Sequence, residues 1–146
     1  MFMKASLPTA VEFHAACVCL GLNRAARATA RRYDAALKPI GITSGQFSIL
    51  SALTGDTKLT IGHMAERLGL ERTSLKRNLE PLESQGLLRV INDKNDRRQR
   101  LVVATKDGLA LLERAYPLWQ AAQEASSKRM HNFSWVVLRA QLEGLT

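Results

Sequence analysis

The chain has 146 residues, 46% hydrophobic and 23% charged, which suits one substantial core and excludes a disordered or fibrous protein. Lysine and arginine number 21 against 13 aspartate and glutamate, a formal net charge of +8 that points to a polyanionic partner, nucleic acid or an acidic membrane surface. No apolar run approaches the roughly 18–20 residues that cross a bilayer, residues 1–16 hold no compact apolar stretch of a secretory signal, and two cysteines make no disulfide framework, so the expectation is a cytoplasmic protein without a membrane partner.

The first element spans about residues 11–38. Val18, Leu22, Ala25, Ala26, Thr29, Tyr33, Ala36 and Leu37 recur at helical spacing, with Arg24, Arg27, Arg31 and Arg32 between them, and Pro39 and Gly41 stop it. Thr43 and Gln46 read as a capping box opening a helix that carries Phe47, Leu50 and Leu53. Thr60 caps a short helix with Ile61, Met64, Ala65 and Leu68, which Gly69 breaks. A further helix covers about residues 72–85 and closes at Gly86. Two strand-like runs, 87–91 and 100–104, flank a polar, turn-prone segment and read as a hairpin. The rest is helical: residues 106 to about 130, with Leu109, Leu112, Ala115 and Leu118 on one face, then 134–145.

Helix, short turn, helix and hairpin, in that order, spell a winged helix-turn-helix, so the fold class is mainly α with a small β-hairpin wing. In the helix over 72–85, Leu75, Leu79 and Leu82 share one face and must be buried. At about 100° per residue, Thr73 and Arg77 point the opposite way, with Ser74, Lys76 and Asn78 on the flanks and Arg72 at the start. Arginine pairs with guanine, asparagine with adenine, and serine or threonine with either, while lysine suits phosphate. Glu80 and Glu83 fall in the later half, away from the expected phosphate contacts, and Pro81 should bend the helix. In the hairpin loop Lys94, Arg97 and Arg98 stand beside Asp93 and Asp96. Such a loop can place an arginine in the narrow minor groove, with an adjacent aspartate holding the guanidinium through a bidentate pair. Each feature alone fits a solvated helix or a charged turn; their ordered combination points to double-stranded DNA. An architectural DNA-binding protein without an effector would present the same helix and wing, and sequence specificity separates the two.

The stretch 68–87, with Leu68-Gly69-Leu70, Thr73-Ser74-Leu75 and Leu79-Glu80-Pro81-Leu82, resembles the recognition-helix region of MarR-type regulators, named for multiple antibiotic resistance. Asp93 to Arg98, followed by Val102, Thr105 and Gly108, is similar to that family's wing signature, and Gly41-Ile42-Thr43 with Phe47, Leu50 and Leu53 to its second helix. The resemblance covers roughly residues 11–130. It implies a homodimer on a palindromic site, with residues 1–40 and 107–146 as interlocking dimerisation helices and 41–106 as the DNA-binding lobe. It also implies that Arg98 reaches the minor groove, that Asp96 braces it, and that a small aromatic or phenolic ligand relieves repression.

No motif fixes such a ligand; Arg24, Arg27, Arg31, Tyr33, His14 and Met64 could line its pocket, but each reads first as a solvated charge, a dimer contact or core. Cys17 and Cys19, two residues apart on one helix, face about 200° apart and so cannot pair without unwinding, and they read first as small buried packing residues. The alternative is a thiol sensor of organic hydroperoxides at Cys19: Tyr33 lies 14 residues on, a spacing similar to the peroxide-sensing branch of the family. Ser44 and Phe47 stand where further tyrosines of that network are expected, so it is incomplete. His14, His63 and His131 are too scattered for a metal, and no nucleotide-binding glycine motif or catalytic triad appears, so neither cofactor nor enzyme activity is expected.

Overall fold

The computed structural model describes residues 7–130 and 134–146; His131 lies outside them. The single first helix expected over 11–38 is corrected to two, α1 (Ala10–Ala16) and α2 (Val18–Leu37). The break is Cys17, whose extended backbone (φ −80°, ψ 104°) leaves the helical region. Its sulfur accepts the Leu20 N–H at 3.4 Å, so Cys17 is the N-cap of α2. The periodic apolar residues begin only at Val18, so their spacing says nothing of a break at Cys17. A capping box starts α1: Thr9 Oγ1 accepts the Glu12 N–H, and the Glu12 carboxylate accepts the Thr9 N–H at 2.7 Å. The backbone bond from Thr9, and then its hydroxyl, hold the Glu12 carboxyl below the usual range.

A 3-10 turn, Lys38–Ile40, and Gly41 at φ 79° lead from α2 into α3 (Ser44–Ser51). The expected capping box is present: Gln46 N–H donates to Thr43 Oγ1 and Thr43 N–H to Gln46 Oε1. Then follow β1 (Leu59–Thr60), α4 (Ile61–Leu68), α5 (Arg72–Ser84), β2 (Leu88–Asn92), β3 (Arg100–Ala104), α6 (Lys106–Lys128) and α7 (Trp135–Glu143). The hairpin's first strand starts at Leu88, one residue later than expected. The two-residue β1, too short for any alternation, pairs antiparallel with β3 to give the order β1-β3-β2.

One core holds the lobe together. Leu37, Ile49, Leu50, Leu53, Met64, Leu75, Leu82, Leu88 and Val102 are all fully buried, each contributing about 1.5–3 kcal/mol of transfer free energy. Two features fasten α6 to this core. Thr105 donates its N–H to Leu87 O at 3.1 Å and its hydroxyl to Gly86 O at 2.6 Å. Gly108 lies so close to the same strand entry that a Cβ would come within 1.9 Å of Leu87 O. Further along, α2 packs beside α6. The Tyr33 hydroxyl donates to Gln123 Oε1, and Trp119 stacks on Phe47 at 5.7 Å. Among the described residues no helix is long and apolar enough to cross a membrane.

Candidate nucleic-acid interface

The two glycine-capped turns aim α5. Gly69 takes the left-handed conformation (φ 62°) that ends α4, and Leu70 N–H returns to Ala65 O at 2.8 Å, so α5 departs at a fixed angle. Leu75, Leu79 and Leu82 are buried as the spacing requires. The opposite side, with Thr73, Ser74, Lys76 and Arg77, is solvent-exposed. Asn78 is half-buried; its Nδ2 donates to Ser74 O at 2.9 Å, and its amide oxygen sits near Gly45 at the start of α3. Arg72 is exposed, yet its guanidinium extends across Gly62 in the first turn of α4, where a Cβ would lie 3.2 Å from it. The arginine thus ties the first turns of the two helices together.

The wing loop, between β2 and β3, exposes Lys94, Arg97 and Arg98. Asp96 Oδ1 accepts both the Arg98 N–H at 3.0 Å and the Arg98 Nε–H at 3.4 Å. The expected bidentate brace is therefore corrected: one carboxylate oxygen holds backbone and side chain together, while Asp96 Oδ2 accepts from Gln99. The Arg98 side chain stays 93% exposed, so its outer nitrogens remain open to a phosphate or groove. Sequence reasoning missed Glu83. Its carboxylate accepts the Val90 N–H at 3.0 Å and joins the end of α5 to strand β2, fixing the wing relative to the helix. An acid late in a helix gives no sign of such a bond. Among the described residues the salt bridges are Arg98–Asp96 and Arg139–Glu143, so Lys76, Arg77, Lys94 and Arg97 carry no carboxylate partner.

The effector candidates do not converge. Met64 is fully buried core, and the His14 ring is bonded to Ala10 O of its own helix, so both are corrected out of a pocket. Arg24, Arg27 and Arg31 line an open groove of about 460 Å³ on α2 with Gly21, Ala25 and Ala28. Tyr33 is spent on Gln123. Fourteen residues of α2 separate Cys19 from Tyr33, about 21 Å at the helical rise, so one chain does not bring them together. Ser44 donates its N–H to Asp34 Oδ1 at 2.6 Å. Both cysteines are exposed, correcting the expectation of buried packing residues, and the argument that they face apart on one helix fails because Cys17 is not in a helix.

A buried-faced helix presenting unpaired cations, held by a second helix and flanked by a basic hairpin, defines a DNA-binding winged helix-turn-helix transcriptional regulator. The MarR-family model matches residues 40–99. The organic hydroperoxide resistance transcriptional regulator of Bacillus subtilis (strain 168) is 32% identical over 98 residues, 67% of each chain. The transcriptional regulator MosR of M. tuberculosis, solved in complex with DNA, matches at 36% identity and TM-score 0.79, covering 88% of this chain and 92% of that one. BpsR of Bordetella bronchiseptica, solved for its regulation by 6-hydroxynicotinic acid, shares the fold at 23% identity and TM-score 0.74 over 90% of this chain and 91% of that one. The chain belongs to the MarR family.

Proposed function

We propose that the protein is a homodimeric repressor that reads a palindromic operator and is released from it by an effector, acting in the cytoplasm through binding rather than catalysis. The observation that carries this reading is the outward face of α5: Thr73, Lys76 and Arg77 exposed and unpaired above three buried leucines. Arg77, Thr73 and Ser74 read bases, Asn78 joins them only by turning its amide away from Ser74 O and α3, and Lys76 and Arg72 meet phosphate. Arg98 enters the adjacent minor groove, with Lys94 and Arg97 on the backbone and Asp96 as brace. Residues 41–106 form the reading lobe; 1–40 and 107–146 form the dimer. The dimer is supported by apolar side chains left uncovered at both ends of the chain, among them Val11, Phe13, Val18, Trp135, Val136 and Val137. Two lobes then sit one helical turn apart, roughly 34 Å, on successive major grooves.

Two effector classes fit. A small aromatic or phenolic ligand would use the arginine-lined groove on α2, and the ligand-regulated neighbour supports that class. Thiol oxidation is the second reading, favoured by the exposure of both cysteines and by the hydroperoxide-resistance relative. Selection of bound sequences from random duplexes tests the primary reading. A near-palindrome with half-sites about one helical turn apart is expected; salt-dependent binding without sequence preference would make the protein architectural instead.

A further inference from the structure

We propose that Glu83 is a positioning residue for DNA specificity: by holding the free edge of β2 it sets the distance between what α5 reads and what Arg98 reads, a role that rests on the regulator reading above. β2 is an outer strand of the sheet, with β3 as its neighbour on one side. Across that pair Leu87 O accepts the Thr105 N–H, and the Asp93 N–H goes to Gln99 O. Alternate residues of an antiparallel strand bond to the partner, so Arg89 and Ile91 turn their backbone groups to β3 and the Val90 N–H points away from it. That edge N–H is the one the Glu83 carboxylate accepts, at 3.0 Å. The Glu83 carbonyl accepts the Gly86 N–H at 2.9 Å, so one residue ties down both the turn and the strand beyond it.

On electrostatic grounds an acid is out of place here. Glu83 stands in the last turn of α5, where the helix dipole disfavours a carboxylate, and on a lobe that meets phosphate. The bond to Val90 accounts for it, because a carboxylate accepts a backbone N–H more strongly than a neutral oxygen does. The wing's other attachments lie elsewhere: Leu88 and Val102 are fully buried in the core, and β1 pairs with β3. These keep the hairpin folded without Glu83. Among the described residues, however, no other hydrogen bond joins α5 to β2. From Val90 to the end of β2 is about 7 Å of strand, and the loop with Lys94, Arg97 and Arg98 follows. A change of twist at Val90 therefore displaces the Arg98 guanidinium relative to Arg77 on α5. Asp96 holds Arg98 within the loop, and Glu83 holds the stem of that loop on the helix. The two acids act in series, so the minor-groove contact depends on both.

The test measures binding of the full-length protein to a selected duplex with A·T-rich flanks and to the same duplex with G·C-rich flanks, at about 0.15 M salt. Wild type, Glu83→Ala, Glu83→Gln, Arg98→Ala and the Glu83→Ala/Arg98→Ala double variant are compared, and amide exchange at Val90 is followed without DNA at constant pH. Glu83→Ala should weaken binding to the A·T-flanked duplex by about threefold or more and shrink the A·T preference, leaving the preference at base pairs read by α5 unchanged. Arg98→Ala should cost at least about threefold less in the Glu83→Ala background than in wild type. Exchange at Val90 should quicken in Glu83→Ala. Glu83→Gln, which keeps an acceptor oxygen, should retain both the protection and the A·T preference. Additive losses, an A·T preference that survives Glu83→Ala, or a Glu83→Gln variant that behaves as Glu83→Ala does would overturn the positioning role. Unchanged Val90 exchange in Glu83→Ala would overturn it too, while leaving the regulator reading intact. A wild type that binds both duplexes alike, or is indifferent to Arg98→Ala, removes the wing reading and the proposal with it.

Discussion

The winged lobe and the terminal helices differ in how they use apolar residues. The lobe buries its large side chains in one cluster, which Leu37 of α2 and Leu112 and Ala115 of α6 join, and leaves its cations outside. By contrast, α1 and α7 bury no residue, and α2 buries only Leu37. Val11 is 78% exposed and Val136 69%, although both lie on helices. Apolar side chains on helices have thus found their partner within the chain in one region and not in the other. Helical periodicity announces that a face will be covered; what covers it is a separate fact.

Removing residues 134–146 breaks this contrast most directly. It should abolish operator binding and leave monomer or aggregate, while the lobe keeps its own unfolding transition; a truncated protein that sediments as a soluble dimer would contradict the assembly. Next in size, Leu75→Ala opens the lobe core where Leu75 is fully buried, costing about 2–5 kcal/mol in denaturant unfolding. A cost near zero would mean that the lobe is not self-sufficient. Arg77→Ala should cost about 1–3 kcal/mol of binding, confined to one or two base pairs per half-site. Equal loss on every duplex would assign Arg77 to phosphate.

Smaller effects follow at the wing and in α1. Arg98→Ala should weaken binding and remove any preference for A·T-rich flanks, and unchanged affinity at about 0.15 M salt would exclude a groove contact. Asp96→Ala should do the same more weakly, since Arg98 keeps its charge and loses only its tether. The smallest effect is at Glu12. Its carboxyl is held below the usual range, so its contribution to α1 is present above the unfolded-chain pKa and is lost as pH falls through the lowered folded value. Protection of the α1 amides, taken relative to their intrinsic exchange rate at each pH, should fall as the solution is acidified through that window, and Glu12→Gln should flatten the dependence.

Much of the lobe was legible because short-range rules decide it. Thr43 with Gln46, Thr60, Gly69 and Gly86 mark ends that the folded chain uses, and Leu75, Leu79 and Leu82 set which side of α5 faces out. What escaped depends on three-dimensional neighbours or on single-residue geometry. Cys17 separates two helices through its own backbone angles, just ahead of the residues whose spacing is periodic. β1 exists only because β3 lies alongside it. Glu83 reaches a strand seven residues later, and Arg72 lies across α4, contacts with no spacing of their own. Met64, a pocket candidate by residue type, is core because α4 turns it inward.

The close approach at Gly108 has a mechanical side. Because Leu87 O sits where a side chain would be, and Thr105 is bonded to both Gly86 and Leu87, α6 cannot roll on the lobe without dragging the end of α5 with it. Its 23 residues make a rod about 34 Å long, anchored at the reading end and lying beside α2. A displacement of about 3 Å at the far tip of such a rod corresponds to a tilt of roughly 5° at its anchored end. A disturbance at that tip would reach the lobe as a small rotation about Gly108 rather than as a slide.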